Sequence, residues 1–198
     1  AFTGGEILLR RDLFSIAQYA RGKGFALSLL TNGTLITAEI AEEIASLRPL
    51  SVDVSLYSRT PSIHDNITRV PGSHKKTINA IQLLLERKIP VVIKTPILKT
   101  TVRDYPRVMD LAKELGAACL VDPTITPSSD GGFTPLRYRL GDEELKGVLN
   151  LNPDTGEPEP MSDFSLCASA RSTCLISPYG EVYPCSLYPL KVGSLRRA

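Results

Sequence analysis

The chain has 198 residues, of which 42% are hydrophobic and 22% are charged, and its formal net charge is +2. This length and composition allow a full core and are typical of a soluble globular protein. The small charge gives no indication of a nucleic-acid partner or a membrane surface, and no apolar run approaches the ~20 residues of a membrane span. No secretory signal precedes the first predicted elements, so we expect a cytoplasmic protein.

Residues 1–122 alternate between strand and helix patterns. The first residues, AFTGGEIL, are typical of a strand that ends in a glycine turn, with the Glu6 carboxylate at its mouth. Apolar periodicity predicts helices over 11–23, 37–47, 73–88 and 104–115, with strands over 25–30, 50–56, 90–97 and 117–121. This alternation indicates right-handed βαβ units and a parallel α/β sheet. No G-x-G-x-x-G motif occurs, and periodicity alone fits an open sheet or a partial (β/α) barrel equally well.

The character of the chain changes after residue 122. Prolines, glycines and serines indicate a linker over 123–165, with one short helix near 141–149. Short strands return in 166–198, where the sequence predicts a β-hairpin across residues 178–181. The first residue is Ala rather than Met and already has a strand pattern, so the sequence predicts a fragment cut at both ends.

Polar residues and glycines follow successive predicted strands. In parallel α/β folds the ligand site lies at the carboxyl ends of the strands, so these residues are expected to meet at one edge. The candidates are Gly4, Gly5, Glu6, Thr31, Asn32 and Ser55.

Three of the four cysteines cluster in the C-terminal segment. Cys167, Cys174 and Cys185 have the spacing C-x6-C-x10-C. In a turn-rich segment without a secretion signal, this pattern favours a metal site over a disulfide. Thiolates suit both an iron–sulfur cluster and a structural zinc ion. Cys119 lies inside an apolar strand and is predicted to be a core residue.

Four motifs follow one another in the sequence: FTGGE at 2–6, TNGT at 31–34, VSLY at 54–57 and the three late cysteines. Their order resembles that of the radical S-adenosylmethionine (SAM) enzymes that carry a SPASM-type C-terminal extension. The resemblance implies a partial, TIM-like parallel barrel. It also implies that Gly4, Gly5 and Glu6 hold the amino group of SAM, and that Ser55 contacts its carboxylate or ribose. The cysteine hairpin would carry an auxiliary iron–sulfur cluster.

Two departures from that family pattern stand out. HDNITR at 64–69 resembles a stretch that often reads His-Asp-x-x-Arg-Gly, in which the Arg pairs with the SAM carboxylate. Thr68 occupies the Arg position, and Arg69, one residue later, is the candidate substitute. The alternative for His64 is a loop histidine bonded to nearby backbone. The C-x3-C-x2-C loop that holds the SAM-binding [4Fe–4S] cluster is not found in the 198 residues, so we expect this fragment alone to be inactive.

The resemblance therefore implies an oxidoreductase that cleaves SAM to a 5′-deoxyadenosyl radical. Its expected role is peptide or cofactor maturation, or modification of a haem precursor. The implied partners are a small-molecule or peptide substrate and a reductant such as flavodoxin or ferredoxin. The alternative is a non-catalytic α/β binding or scaffold module with a zinc-stabilised tail. An upstream C-x3-C-x2-C loop in the full gene would distinguish the two.

Overall fold

The structure, a computed structural model, describes residues 1–128, 130–151, 172–188 and 190–196. The chain divides into two compact units, Ala1–Thr124 and Ile125–Ala198. Within the described ranges, none of the helices has the length and apolar character needed to cross a membrane.

The first unit alternates strands and helices, as predicted. Its helices are α1 (Leu13–Gly22), α2 (Ala38–Ser46), α3 (Pro61–Thr68), α4 (Ser73–Glu86) and α5 (Tyr105–Leu115). Its strands are β1 (Ser28–Thr31), β2 (Ser51–Ser55), β3 (Val91–Pro96) and β4 (Ala118–Asp122). A short 3₁₀ helix spans Ile7–Leu9.

The four strands form one sheet in the order β1-β2-β3-β4, and every neighbouring pair is parallel. The predicted parallel α/β fold is therefore confirmed. The predicted strand at the start of the chain is reduced to a single bridge. Phe2 donates its N–H to Ser28 O at 2.8 Å and accepts from Leu30 N at 2.9 Å. The strand pairing ends after this bridge, because the two glycines that follow do not favour further pairing between strands. They form a turn that leads into the 3₁₀ helix.

One face of the sheet carries the core. In β2, Val52 and Val54 are fully buried, while Ser51, Asp53 and Ser55 on the opposite face are partly exposed. Right-handed crossovers between sequential neighbours put the helices on the same side of the sheet. The helical residues of the core cluster are Leu13, Ala17, Ala41, Ile44, Ala80, Ile81, Leu84, Val108 and Ala112.

The helix ends follow local chemistry. Thr37 caps α2, because its Oγ1 accepts a hydrogen bond from Ile40 N at 3.3 Å. Asp12 precedes α1 but does not cap it; the carboxylate instead pairs with Arg10, with an Nε–O distance of 2.6 Å. The sequence did not predict α3, a short helix that begins at Pro61, where a missing N–H costs nothing.

The second unit contains a 3₁₀ helix (Thr134–Tyr138), α6 (Asp142–Leu151) and the strands β5 (Leu175–Ile176), β6 (Glu181–Tyr183) and β7 (Gly193–Ser194). The helix α6 agrees with the helix predicted near 141–149. The three strands form an antiparallel sheet in the order β5-β6-β7. The last part of the predicted linker at 123–165 lies outside the described residues, which end at 151 and resume at 172.

Candidate functional site

A cavity of about 430 Å³ opens at the carboxyl ends of β1 and β2. The glycine turn, both strand ends and the two helices α3 and α4 contribute to its wall. Its lining residues are Thr3, Gly4, Gly5, Leu30, Thr31, Asn32, Thr34, Ser55, Tyr57, His64, Thr68, Val70, Ser73 and Thr77. Five of the seven residues predicted to bind a cofactor are in this set. Glu6 is not among the lining residues, but its carboxylate bonds to two of them, Thr31 and Asn32. Arg69 is exposed at the end of α3 and is also not among the lining residues.

The Glu6 carboxylate ties the glycine turn to the end of β1. It accepts hydrogen bonds from Thr31 Oγ1 at 2.7 Å, Asn32 N at 2.8 Å and Leu8 N at 3.1 Å. A carboxylate has about four acceptor positions, so about one remains for a ligand. Thr31 is the register partner of Val54, the residue before Ser55. Glu6 and Ser55 therefore lie at the same edge of the sheet, as the sequence predicted.

The turn after β1 depends on a glycine. Asn32 Oδ1 accepts from Thr34 N at 2.8 Å, while Gly33 N donates to Thr31 Oγ1 at 3.0 Å. Gly33 has φ +76°, and a Cβ there would lie 3.2 Å from both Ala80 Cβ and Val54 Cγ1. The backbone conformation and the close approach of α4 and β2 together require glycine at this position.

We expect Gly33→Ala to lower the free energy of unfolding by about 2–4 kcal/mol, from left-handed backbone strain plus overpacking. The matched control is Gly116→Ala, because Gly116 has φ +75° but open space around the added Cβ. The control should cost only about 1–2 kcal/mol. Urea unfolding of both variants measures the difference. Equal losses would show that the contacts with Ala80 and Val54 contribute nothing.

The opposite wall of the cavity comes from α3 and α4, which Asp65 joins. Its carboxylate accepts from Gly72 N at 2.6 Å, His74 N at 2.8 Å and Ser73 Oγ at 3.0 Å. These bonds, the His74 N–H first, lower the pKa of Asp65. The carboxylate thus occupies the N-terminus of α4, and its charge is favourable there.

His64 is 1% exposed on the inner face of α3, and it also lines the cavity. Its Nδ1 accepts a hydrogen bond from Tyr57 N at 3.3 Å, so the expected bond to nearby backbone is present, although from a helix rather than a loop. The ring of His74 lies 5.6 Å away, edge-on. Burial, and then the His74 charge, lower the pKa of His64 to about 4. The ring is therefore neutral at pH 7.

The loop after β2 is anchored to α5. Ser58 donates its hydroxyl to Asp104, and Arg59 N donates to Asp104 Oδ2 at 3.1 Å. The guanidinium of Arg59 forms a two-pronged pair with Glu114 at 2.8 and 2.9 Å. The sequence did not predict these contacts, since their partners are 45 or more residues apart. They fix the loop that presents Tyr57 N to His64.

The late cysteines are only partly described, because Cys167 lies outside the described residues. Leu175 pairs with Tyr183, so Cys174 and Cys185 flank the same end of the β5–β6 hairpin. Leu187 N donates to Cys185 Sγ at 3.4 Å. Among the residues that the structure describes, no group of three or more His, Cys, Asp or Glu side chains is arranged to hold a metal ion. Cys119 is half-buried against the core, as predicted, and burial raises the pKa of its thiol.

The family model of the radical SAM superfamily matches residues 1–112, just over half of the sequence. The chain therefore belongs to the radical SAM superfamily, a family of enzymes that use SAM and a [4Fe–4S] cluster.

Curated relatives carry several activities. The chain is 26% identical to AdoMet-dependent heme synthase of Methanosarcina barkeri, a match that covers 98% of this chain and 64% of that protein. It is 28% identical to mycofactocin maturase MftC of Mycobacterium tuberculosis, over 92% of this chain and 50% of that protein. The chain thus spans between half and two thirds of the length of these relatives.

Solved structures share the fold. A structure of anSMEcpe with bound AdoMet and a peptide matches with a TM-score of 0.67 and 20% identity, over 100% of this chain and 64% of that one. Streptococcus suis SuiB bound to the precursor peptide SuiA matches with a TM-score of 0.68 and 14% identity, over 92% of this chain and 47% of that one.

Proposed function

We propose that the cavity at the carboxyl edge of the sheet binds SAM, and that the whole protein is a radical SAM enzyme. The single observation that supports this most is the meeting of the glycine turn, the end of β1 and Ser55 around one cavity of about 430 Å³. In such an enzyme, reductive cleavage of SAM gives methionine and a 5′-deoxyadenosyl radical, which abstracts hydrogen from the substrate.

The residues around the cavity suit the parts of SAM. The Glu6 carboxylate, with about one acceptor position unused, suits the ammonium group as a charge-assisted acceptor. Gly4, with φ +146°, and Gly5 leave open space beside the backbone, so a ligand can approach their main-chain groups. Asn32, Thr31 and Ser55 supply polar groups at the adjacent strand ends. Glu6 and Arg69 are both outside the lining set, but Glu6 bonds to the lining residues Thr31 and Asn32, so the exposed Arg69 is the weakest member of the proposed site.

The residues do not fit the cluster that reduces SAM. The four cysteines are Cys119, Cys167, Cys174 and Cys185, and no two of them have either interval of the C-x3-C-x2-C motif. We assign no step of the reaction to ligands within these 198 residues. Their role in the proposed reaction is to bind and orient SAM and to exclude water.

We also propose that residues 1–122, which lie within the first unit, are part of a barrel. Sequential parallel neighbours with helices on one side are the repeating unit of a (β/α) barrel, and the sheet has that order. Residues 123–165 would link it to a SPASM-type segment, 166–198, whose three late cysteines hold an auxiliary iron–sulfur cluster. The names of the relatives support a haem precursor or a peptide as substrate. A flavodoxin or ferredoxin would act as reductant, in the cytoplasm.

The test is anaerobic incubation of the reconstituted full-length protein with SAM and dithionite, followed by chromatography for 5′-deoxyadenosine. Formation of 5′-deoxyadenosine above a control without protein supports the proposal. Absence of the product from a protein with a fully loaded cluster would contradict it.

In the same protein, we expect Glu6→Gln to weaken SAM binding by about 10- to 100-fold, since it removes one charge-assisted acceptor worth roughly 1.5–3 kcal/mol. Equilibrium dialysis with labelled SAM measures this. Glu43→Gln is the matched control, because Glu43 is exposed on α2, a helix that contributes no lining residue, whereas Glu6 bonds to the lining residues Thr31 and Asn32. Equal affinities for the two variants would remove Glu6 from the site.

The alternative scaffold function with a zinc-stabilised tail is tested at the cysteines. We expect a Cys167→Ala, Cys174→Ala and Cys185→Ala triple variant of the full-length protein to lose iron and sulfide while any upstream cluster is retained. Stoichiometric zinc without sulfide in the unmodified protein would favour the scaffold instead.

A further inference from the structure

The proposed ligand carries a carboxylate, and the cavity provides no cationic side chain for it. The described lining residues include neither Lys nor Arg. Lys94 is the register partner of Ser55, but it pairs with Asp53 at 3.3 Å and is not in the lining set. A buried carboxylate needs N–H or O–H donors if no cation is present. This step rests on the proposal that the cavity binds SAM.

The hydroxyl groups on the helical wall are already used. Each hydroxyl has one proton to donate. Ser73 Oγ donates to Asp65 Oδ1 at 3.0 Å, so Thr68 Oγ1 donates to Ser73 Oγ at 2.7 Å, with Asp65 O also within 3.2 Å. Thr77 Oγ1 donates to Asn32 O at 2.9 Å. Their protons are therefore committed within the protein.

The His64 ring is different. Because Tyr57 N donates to Nδ1, the single proton of the neutral ring is on Nε2. His64 and Thr68 are four residues apart on α3, so they share a helix face, and both line the cavity. Among the described lining residues of α3 and α4, the Nε2–H of His64 is the side-chain donor whose proton is not given to another protein group.

We propose that His64 donates its Nε2–H to the carboxylate of bound SAM. The hydrogen bond from Tyr57 N fixes the tautomer before the ligand arrives, so no proton has to move on binding. The ring stays uncharged at neutral pH, since burial and the neighbouring His74 lower its pKa and only Asp65 acts in the opposite sense. A neutral donor that is held in position can bind a carboxylate without the desolvation cost of a second buried charge.

The experiment measures the affinities of SAM and of decarboxylated SAM for the full-length holoenzyme without reductant. Because the two ligands differ only in the carboxylate, the ratio of their affinities reports on the carboxylate alone. A general loss of packing in a variant lowers both affinities and leaves the ratio unchanged. We expect His64→Phe to reduce this ratio by at least about tenfold, the range for a charge-assisted bond. His64→Gln, whose side-chain amide restores an N–H, should recover most of it. Tyr105→Phe, at a buried position on α5 that is not among the lining residues, is the control and should leave the ratio unchanged.

The outcomes separate the two proposals. Failure of the unmodified holoenzyme to bind SAM would overturn the proposed function and this inference with it. Normal SAM binding with the same ratio in the unmodified protein, His64→Phe and His64→Gln would overturn the role of His64 alone. If His64→Phe does not fold, the comparison uses His64→Asn, whose shorter amide cannot reach and should show the reduced ratio.

Discussion

Replacement of Asp104 with Ala is expected to lower the free energy of unfolding by about 3 kcal/mol. Asp104 is 6% exposed and accepts from the hydroxyl of Ser58, which is fully buried, and from Arg59 N. The Arg107 guanidinium also lies 3.1 Å from its Oδ1. Truncation would leave the Ser58 hydroxyl and the Arg59 N–H without their acceptor, and the desolvation penalty of such groups is large. Chemical denaturation of the purified variant measures the loss.

The control for this prediction is Asp110→Ala on the same helix, at an exposed position. Its effect should stay within about 0.5 kcal/mol. A double variant that also carries Ser58→Ala should lose less than the sum of the two single variants, because the two side chains act as a pair. Equal effects of Asp104→Ala and Asp110→Ala would show that the Ser58–Asp104 contact does not hold the loop.

The stability of the protein is expected to fall as the pH drops from 7 to 5, by about 2 kcal/mol from His64 alone. His64 has a pKa of about 4 when folded, against an ordinary value of 6.5. Below pH 6.5 the unfolded chain binds a proton that the folded chain does not, so acid favours unfolding. The contribution of neutral His64 to the free energy of unfolding is complete above pH 6.5. It is lost as the pH falls from 6.5 to about 4. Urea unfolding at several pH values measures the slope.

His64→Gln removes this titration, so the free energy of unfolding of the variant should depend less on pH. Its value at pH 7 should change less than its slope against pH. His74, whose pKa burial also lowers, adds to the slope in the same direction and remains in the variant. Asp65 has a lowered pKa and loses its contribution only in more acidic solution. A slope that is the same with and without His64 would mean that folding does not lower the pKa of His64.

The regular elements of the first unit were largely predictable from the sequence. The alternation of Val52 and Val54 with polar residues, for example, fixes both the strand and its buried face. The structure before the glycine turn was harder to predict from the sequence. The short apolar pattern at the start of the chain fits a strand as well as the single bridge that Phe2 forms. The helix α3 was missed because it has only eight residues and few apolar positions. Short helices depend on tertiary packing, which local patterns do not contain.

The candidate site shows the same limit. The sequence predicted that Gly4, Thr31, Asn32 and Ser55 lie close together, because each follows a strand and parallel strands share one carboxyl edge. In the structure all four line the same cavity. The orientation of His64 was not predictable, because its partner Tyr57 and its neighbour His74 come from different elements. Arg69 comes directly after the last residue of α3 and is exposed, so it is not among the lining residues. Side-chain contacts between distant segments form only when the whole unit is packed.

The residues that line the cavity all come from the first 77 positions, before β3 begins. Protein synthesis proceeds at roughly 5–20 residues per second, and domains assemble from the N-terminal side as the chain emerges. The pairings here join elements adjacent in sequence, which favours rapid local closure. The wall of the cavity can therefore begin to assemble on the ribosome several seconds before the segment with the three late cysteines has been translated.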